Sequence, residues 1–485
     1  MVSRPLGPLE NKAIAEHNHH HHDDLQNNTS HTTTLSASKA QVGEGQEGGE
    51  LDGEAEDSET RRLSTKFQSH RHLVPLVSPP DSDVLFLNAA SAPPSNLVIH
   101  EAITRYSSTA LYSSTPQLHW QAAREDTRRL LARCINAEDA ATIAFTRDTT
   151  EGLGGFIGCL RWERGDNVVL LDTEHPNQVY GWLALRERGV EVRRVRTAGL
   201  GEGGGGDGDG GRIDAVDAET LRPYVDHRTR AIGLSTISFD AGQRHDVAGI
   251  SAAFGSSSNN NNGRDILVLA DLTQHVGFAP VDVQRLGVAA AAFSLHKGLN
   301  CPTGLGALYV SPAAAAAIGS APPPIVSMSA VKNLPADLVV RGEGGGGWGE
   351  VELREEGARR FEHANLSLLG VVAAQAYLRF YLEVLGPEDV EAHLCRLTGL
   401  LARECGRLGI PLLGPREAGR RAPHICVLGL DPEGWGAYLR ELGGVRVTVN
   451  RLGLRVSFGF YNSVRDVTRF VGVLERGLAK GLSVR

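Results

Sequence analysis

The stretch AAFSLHKGLNCPTGLGALYV (residues 291–310) decides how the rest of the chain is read. A run of small apolar residues ends at Ser294, Lys297 follows, and a Gly/Pro-rich turn leads into a second apolar run. Short apolar runs bounded by turn residues read as buried strands. A lysine at the mouth of such a strand needs a partner or a chemical role to offset its desolvation. Burial also lowers its pKa toward the neutral amine that forms Schiff bases. Taken alone, Lys297 reads as a surface lysine at a strand end, and its company changes that reading.

Outward from this stretch, ATIAF (141–145), NVVLL (167–171), VEVRRV (190–195), RAIGLS (230–235), DILVLAD (265–271) and AAAFS (290–294) are further strand candidates, separated by amphipathic or Gly-punctuated segments. That alternation predicts an α/β domain with a mostly parallel sheet. After Leu366 the pattern changes to the long helices LLGVVAAQAYLRFYLEVLG (368–386) and EDVEAHLCRLTGLLARECGRLG (388–409), then the strands HICVLGL, VRVTVN and LRVSFGF. A second, smaller α+β domain is expected there. No internal repeat is found. The expected division is a disordered tail over 1–80, a segment over 81–110 packing with the small domain, a large domain over 111–371 and the small domain over 372–485.

The tail is rich in His, Asn, Thr, Ser, Gly and Glu, with too few apolar residues to offset the entropy of ordering it. Its His19–His22 run has metal-binding residue types but no scaffold to fix their geometry, so it reads as a biased tract. Three low-complexity insertions, 201–211, GSSSNNNNG (255–263) and GEGGGGWG (342–349), read as surface loops. With 41% hydrophobic and 22% charged residues the 485-residue chain can bury one large core or two modest ones. The net charge of -8 and the absence of basic blocks argue against a nucleic-acid partner. Six scattered cysteines without CxxC spacing read as reduced thiols, and no apolar run reaches the roughly 20 residues that span a bilayer. A cytoplasmic protein with no membrane partner is expected.

Four further segments carry candidate chemistry. DILVLADLTQHVG (265–277) ends a strand at Asp271 and sets Gln274 three residues on, at the carboxyl edge where open α/β sheets bind ligands. A carboxylate buried there needs a cationic partner, and a pyridinium nitrogen would serve, as it does when pyridoxal 5'-phosphate (PLP) acts as an electron sink. An Asp capping the next helix is the plainer alternative. In TIAFTRDTTEGLGG (142–155), Asp148 and Glu151 have capping-box spacing. The helix start, with the Thr149 and Thr150 hydroxyls, also makes a phosphate site. VVLLDTEHPNQVYGW (168–182) puts His175 just past a strand, where its ring could stack on a planar cofactor or simply sit satisfied in a loop. LGLRVSFGFYNSVRDV places Arg455 in an alternating strand, either on a solvated face or pointing into a cleft where its fork would bind a carboxylate.

Taken in order, TRDTTEGL, TEHPN, LADLTQHVG, SLHKGLNCPTGLGALYV, RRFEHAN and LRVSFGFYNSVRDV resemble the class V aminotransferase superfamily, in its cysteine desulfurase and isopenicillin N epimerase-like branch, over about 85–474. The resemblance implies fold type I, a homodimer with sites at the subunit boundary, and PLP as cofactor. It makes Lys297 the imine-forming lysine and the acid/base at Cα, puts Asp271 on the pyridine nitrogen, His175 against the ring and Gln274 on the ring oxygen. Thr149, Thr150, Ser294 and His296 would hold the phosphate, with Asn365 reaching it from the partner subunit. Arg455 would bind the carboxylate of an amino-acid substrate.

Two departures shape the expected reaction. Desulfurases of this branch carry a nucleophilic Cys shortly before the carboxylate arginine, whereas GGVRVTVNRLGLRVS (443–457) has none, and Cys426 in HICVLGL reads as an inert core thiol. In TISFDAGQRHDV (236–247) Phe239 stands where desulfurases often have an Asn. The expectation is Cα chemistry of epimerase or C–S/β-lyase type. Desulfuration, transamination and a non-catalytic scaffold are the alternatives.

Overall fold

Chain order in the computed structural model begins with helix α1 (Gly49–His70) and the short strand β1 (Leu85–Phe86). The structure describes residues 49–79, 82–197, 213–255, 265–335, 339–340, 349–355, 357–415 and 417–485. The His19–His22 run, the glycine-rich insertion at 201–211 and nearly all of the other two insertions lie outside them.

Helices α2 (Leu97–Tyr112) and α3 (Pro116–Cys134) lead into β2 (Ile143–Thr146), α4 (Thr149–Cys159), β3 (Asn167–Leu171), α5 (Pro176–Leu183), β4 (Glu191–Val195), β5 (Thr229–Ser235), β6 (Leu267–Asp271), β7 (Ala290–Ser294) and β8 (Gly306–Val310). Strands β2 to β8 form one seven-stranded sheet in the order β2-β8-β7-β6-β5-β3-β4. All pairings are parallel except the two made by β8. Strands β2, β3, β7 and β8 are buried along their whole length, which is why they read as continuous apolar runs rather than as an alternation. The carboxyl ends of β3, β5, β6 and β7 open on one edge, as expected for a ligand site in an open α/β sheet.

Beyond Leu366, the antiparallel set β9 (Leu412–Leu413), β10 (Ile425–Leu428), β12 (Thr448–Asn450) and β13 (Gly453–Ser457) forms a second sheet, while β11 (Val445–Arg446) pairs with β1. Helix Pro387–Arg407 buries Val390, Leu394, Leu397 and Leu401, the stripe its sequence spacing calls for. The expected boundary between 371 and 372 falls inside helix Leu368–Arg379, which packs on α2 and α3. Among the described residues, only Leu368–Leu385 is long and apolar enough to pass for a membrane span, and half of it is buried inside the protein.

The expected disorder to residue 80 is corrected over the described part of that segment. Leu63, Phe67, Val74 and Val77 are buried, and the Phe67 ring stacks on His393 at 4.1 Å. Averaged composition concealed one i, i+4 apolar pair and the basic residues beside it, whose carboxylate partners lie far along the chain. Lys66 pairs with Asp389 and Arg71 with Asp466.

Candidate active site

The phosphate end is assembled from three strand termini. Helix α4 begins three residues after β2, capped by Asp148, whose carboxylate accepts the Glu151 N–H at 2.9 Å. The Thr149 hydroxyl lies 2.7 Å from Thr273 Oγ1 and 3.0 Å from Ser294 Oγ. The Thr149 N–H donates to Ser294 Oγ at 3.2 Å. Hydroxyls just beyond β2 and β6 and at the last residue of β7 thus meet at a helix N-terminus, where the macrodipole favours an anion. Thr273 was not singled out from the sequence. Its signal was the one hydroxyl in the DLTQ turn, one residue from Gln274.

These residues border a cavity of about 470 Å³, whose wall also includes Thr150, His175, Asp271, Gln274, His296, Lys297 and Arg455. Burial holds the Lys297 amine down to about 8, with Asp271 pulling the other way and Arg455 adding to the depression. Asp271 ends β6, accepts the Thr273 N–H at 2.8 Å, and has no ion pair among the described residues. His175 caps α5: its Nδ1 accepts the Asn177 N–H at 3.2 Å, and its ring meets Phe239 edge-on at 4.9 Å. Burial, then the Lys297 charge, lowers its pKa, and the same two causes act on His296. The Gln274 amide is held at both ends. Its Nε2 donates to Ala90 O at 2.8 Å, and its Oε1 lies 3.2 Å from His424 Nε2.

Glu174 is a second residue the sequence reading passed over, hidden beside the more conspicuous His175. It is buried, accepts both the N–H and the hydroxyl of Ser235 at 2.8 and 2.6 Å, and burial pushes its carboxyl up to about 8. Ser235 is the register partner of Asp271 on the neighbouring strand, so Glu174 ties the loop carrying His175 to the strand beside the central carboxylate.

The turn after Lys297 packs against the loop after Asp271 through two glycines. A Cβ on Gly298 would lie 2.3 Å from Val276 O, and one on Gly277, at φ +85, would lie 2.3 Å from the Gly298 carbonyl carbon.

Arg455, on β13, is buried. It donates to Phe239 O and, at 3.1 Å, to Thr448 Oγ1, while its Nε has no partner. Burial lowers its pKa against the pull of Asp240. Asn365, in contrast, lines a separate cavity with Tyr106, Gln117 and Arg124, so one chain alone does not bring it to the others. None of the six cysteines borders the main cavity. Cys426, pushed up by burial to about 12, borders another with Cys395.

The residues present fit PLP. A hydroxyl cluster at a helix start suits its phosphate, an unpaired buried carboxylate suits a protonated ring nitrogen, and an amine held near neutrality suits its aldehyde. Fold and site together define a fold type I PLP-dependent enzyme. Residues 84–470 match the family described as Aminotransferase class-V, and the chain belongs to that family. An uncharacterized protein of Schizosaccharomyces pombe is 41% identical over 417 residues, 85% of this chain and 88% of its own. An uncharacterized aminotransferase of the same organism is 38% identical over 414 residues, covering 85% and 96%. The crystal structure of the Escherichia coli cysteine desulfurase CsdA superposes with a TM-score of 0.68 at 21% identity, over 86% of this chain and 99% of that one, a likeness of fold.

Proposed function

We propose that this enzyme acts at Cα of an α-amino acid or a derivative of one, as an epimerase or a C–S/β-lyase. One observation carries the reading. The cavity gathers a near-neutral amine, an unpaired carboxylate and an arginine with a free donor, and no thiol borders it. When bound, PLP withdraws electrons from Cα and so eases loss of its proton. Lys297 takes that proton at its Nζ and returns one, either at Cα or at a departing β-substituent. Arg455 holds the α-carboxylate, its fork preset by Phe239 O and Thr448. Asp271 would hold a protonated ring nitrogen, with His175 and Gln274 beside the ring, and Thr149, Thr150, Thr273, Ser294 and His296 would hold the phosphate. Asn365, being remote from this cavity within one chain, serves the site of a second copy in a homodimer. Scattered thiols, with no disulfide among the described residues, favour a cytoplasmic setting.

The test incubates purified holoenzyme with L-cysteine and S-substituted cysteines in D2O and reads products by mass. Deuterium at Cα with inverted configuration marks an epimerase. Pyruvate, ammonium and free thiol mark a lyase, and both should persist in Cys395→Ser and Cys426→Ser. Alanine with sulfur left on the protein, lost in either variant, would replace this reading with desulfuration. Keto acid formed only with an added 2-oxo acid would replace it with transamination.

A further inference from the structure

Strands β12 and β13 form a hairpin whose body carries Arg455 and its register partner Thr448. Its tip is gripped by one loop of the large sheet. Asp240, in the loop after β5, accepts Asn450 Nδ2 at 3.2 Å and Arg451 Nη2 at 2.6 Å. Asn450 in turn closes the tip, accepting the Leu452 and Gly453 N–H groups at 2.9 and 3.2 Å. The residue before Asp240, Phe239, supplies the carbonyl that takes one arm of Arg455. Two consecutive residues therefore fix both the tip of the hairpin and the guanidinium on its inner strand.

We propose that Asp240 is a positioning residue for substrate binding. Through Arg451 and Asn450 it sets where Arg455 presents its free Nε–H to the substrate carboxylate. The inference rests on the reading of Arg455 given under Proposed function. The pair is unequal, with the Asp240 side chain 10% exposed and that of Arg451 65% exposed. Its carboxylate is fixed by the fold, whereas its cation stands in solvent and is open to screening by salt. Asp240 itself borders the cavity and Arg451 does not, so Arg451→Gln frees the hairpin tip without altering the cavity wall. The cost should fall on binding of a carboxylate rather than on the chemical step.

The experiment titrates holoenzyme with L-cysteine and with cysteamine, which lacks the carboxylate, and follows the visible absorbance. It compares wild type, Asp240→Asn, Arg451→Gln and Arg455→Gln. In Asp240→Asn and Arg451→Gln the apparent affinity for L-cysteine should weaken about tenfold, with cysteamine unchanged. Rising ionic strength should weaken L-cysteine binding by wild type and lose that effect in Arg451→Gln. A merely structural role would shift both probes together. Arg451 is exposed, so its variant answers the question even if Asp240→Asn fails to fold. Should Arg455→Gln discriminate against L-cysteine while Arg451→Gln does not, the clasp is refuted and the carboxylate site stands. Should Arg455→Gln leave L-cysteine binding unaltered, the carboxylate site and the clasp fall together.

Discussion

Arg71 and Asp466, 395 residues apart in sequence, form a buried two-point ion pair, Nη1 to Oδ2 at 2.5 Å and Nη2 to Oδ1 at 3.0 Å. The guanidinium is further held by Tyr461 O and Val77 O. Asp466 also closes the capping box that starts helix Val464–Ala479.

Arg71→Ala should therefore destabilise the protein by about 3–5 kcal/mol, because it leaves a buried carboxylate without its cation. Deleting residues 1–75 should cost more, since Leu63, Phe67 and Val74 leave the core as well. Urea midpoints measure both, and unaltered midpoints would show that the ordered end of the tail is dispensable.

The Lys297 amine should titrate near 8 rather than in the ordinary lysine range. The rate at which cofactor-stripped protein regains its visible band on addition of PLP should rise with pH to a plateau beyond about 8. Asp271 favours the charged amine, so Asp271→Asn should move this midpoint down. A midpoint above 10 would remove the near-neutral amine from the account. Lys297→Ala should give colourless protein.

Asp271→Asn should also cut kcat by about 100-fold or more while phosphate-end binding survives, as expected when one preorganised charge is lost from a site. Inorganic phosphate competing with PLP for the stripped variant checks the second half. Wild-type turnover in this variant would overturn the assignment.

Acid should destabilise the protein steeply below pH 6.5. Burial holds His245 and His275 down to about 3, His393 to about 4, and His424 well below its ordinary value. Between those values and 6.5 the unfolded chain binds protons that the folded one refuses. Each histidine then removes about 1.4 kcal/mol of stability per pH unit lowered. Glu174, raised to about 8, acts in the opposite sense: its contribution is complete below 4.5 and is lost as pH climbs toward 8. Urea midpoints across pH 4.5 to 8 measure the balance, and Glu174→Gln should flatten the upper part. A flat acid limb would refute neutral burial of the histidines.

What was legible in the sequence were the strand ends. Asp271 and Ser294 each close an apolar run, and the backbone alone places them on one sheet edge. Lys297 follows that edge by three residues, so the centre of the site could be read locally. Thr273 and Glu174 were overshadowed by Gln274 and His175, because a short turn shows which residues it contains but not which face inward. The partners of Gln274, Ala90 and His424, and of Arg71, Asp466, were illegible for another reason: each joins segments whose proximity exists only after folding. For Asn365 the resemblance implies a phosphate contact from the partner subunit, and within one chain the residue lies in another cavity.

The glycine contact between residues 277 and 298 has a consequence for inheritance. Because each backbone occupies the space the other's side chain would need, neither position can accept a larger residue first and wait for the other to compensate. Drift is blocked from both directions. The contact thereby sets how closely the turn after Lys297 and the loop after Asp271 lie, and a substitution at either glycine would have to push the two apart.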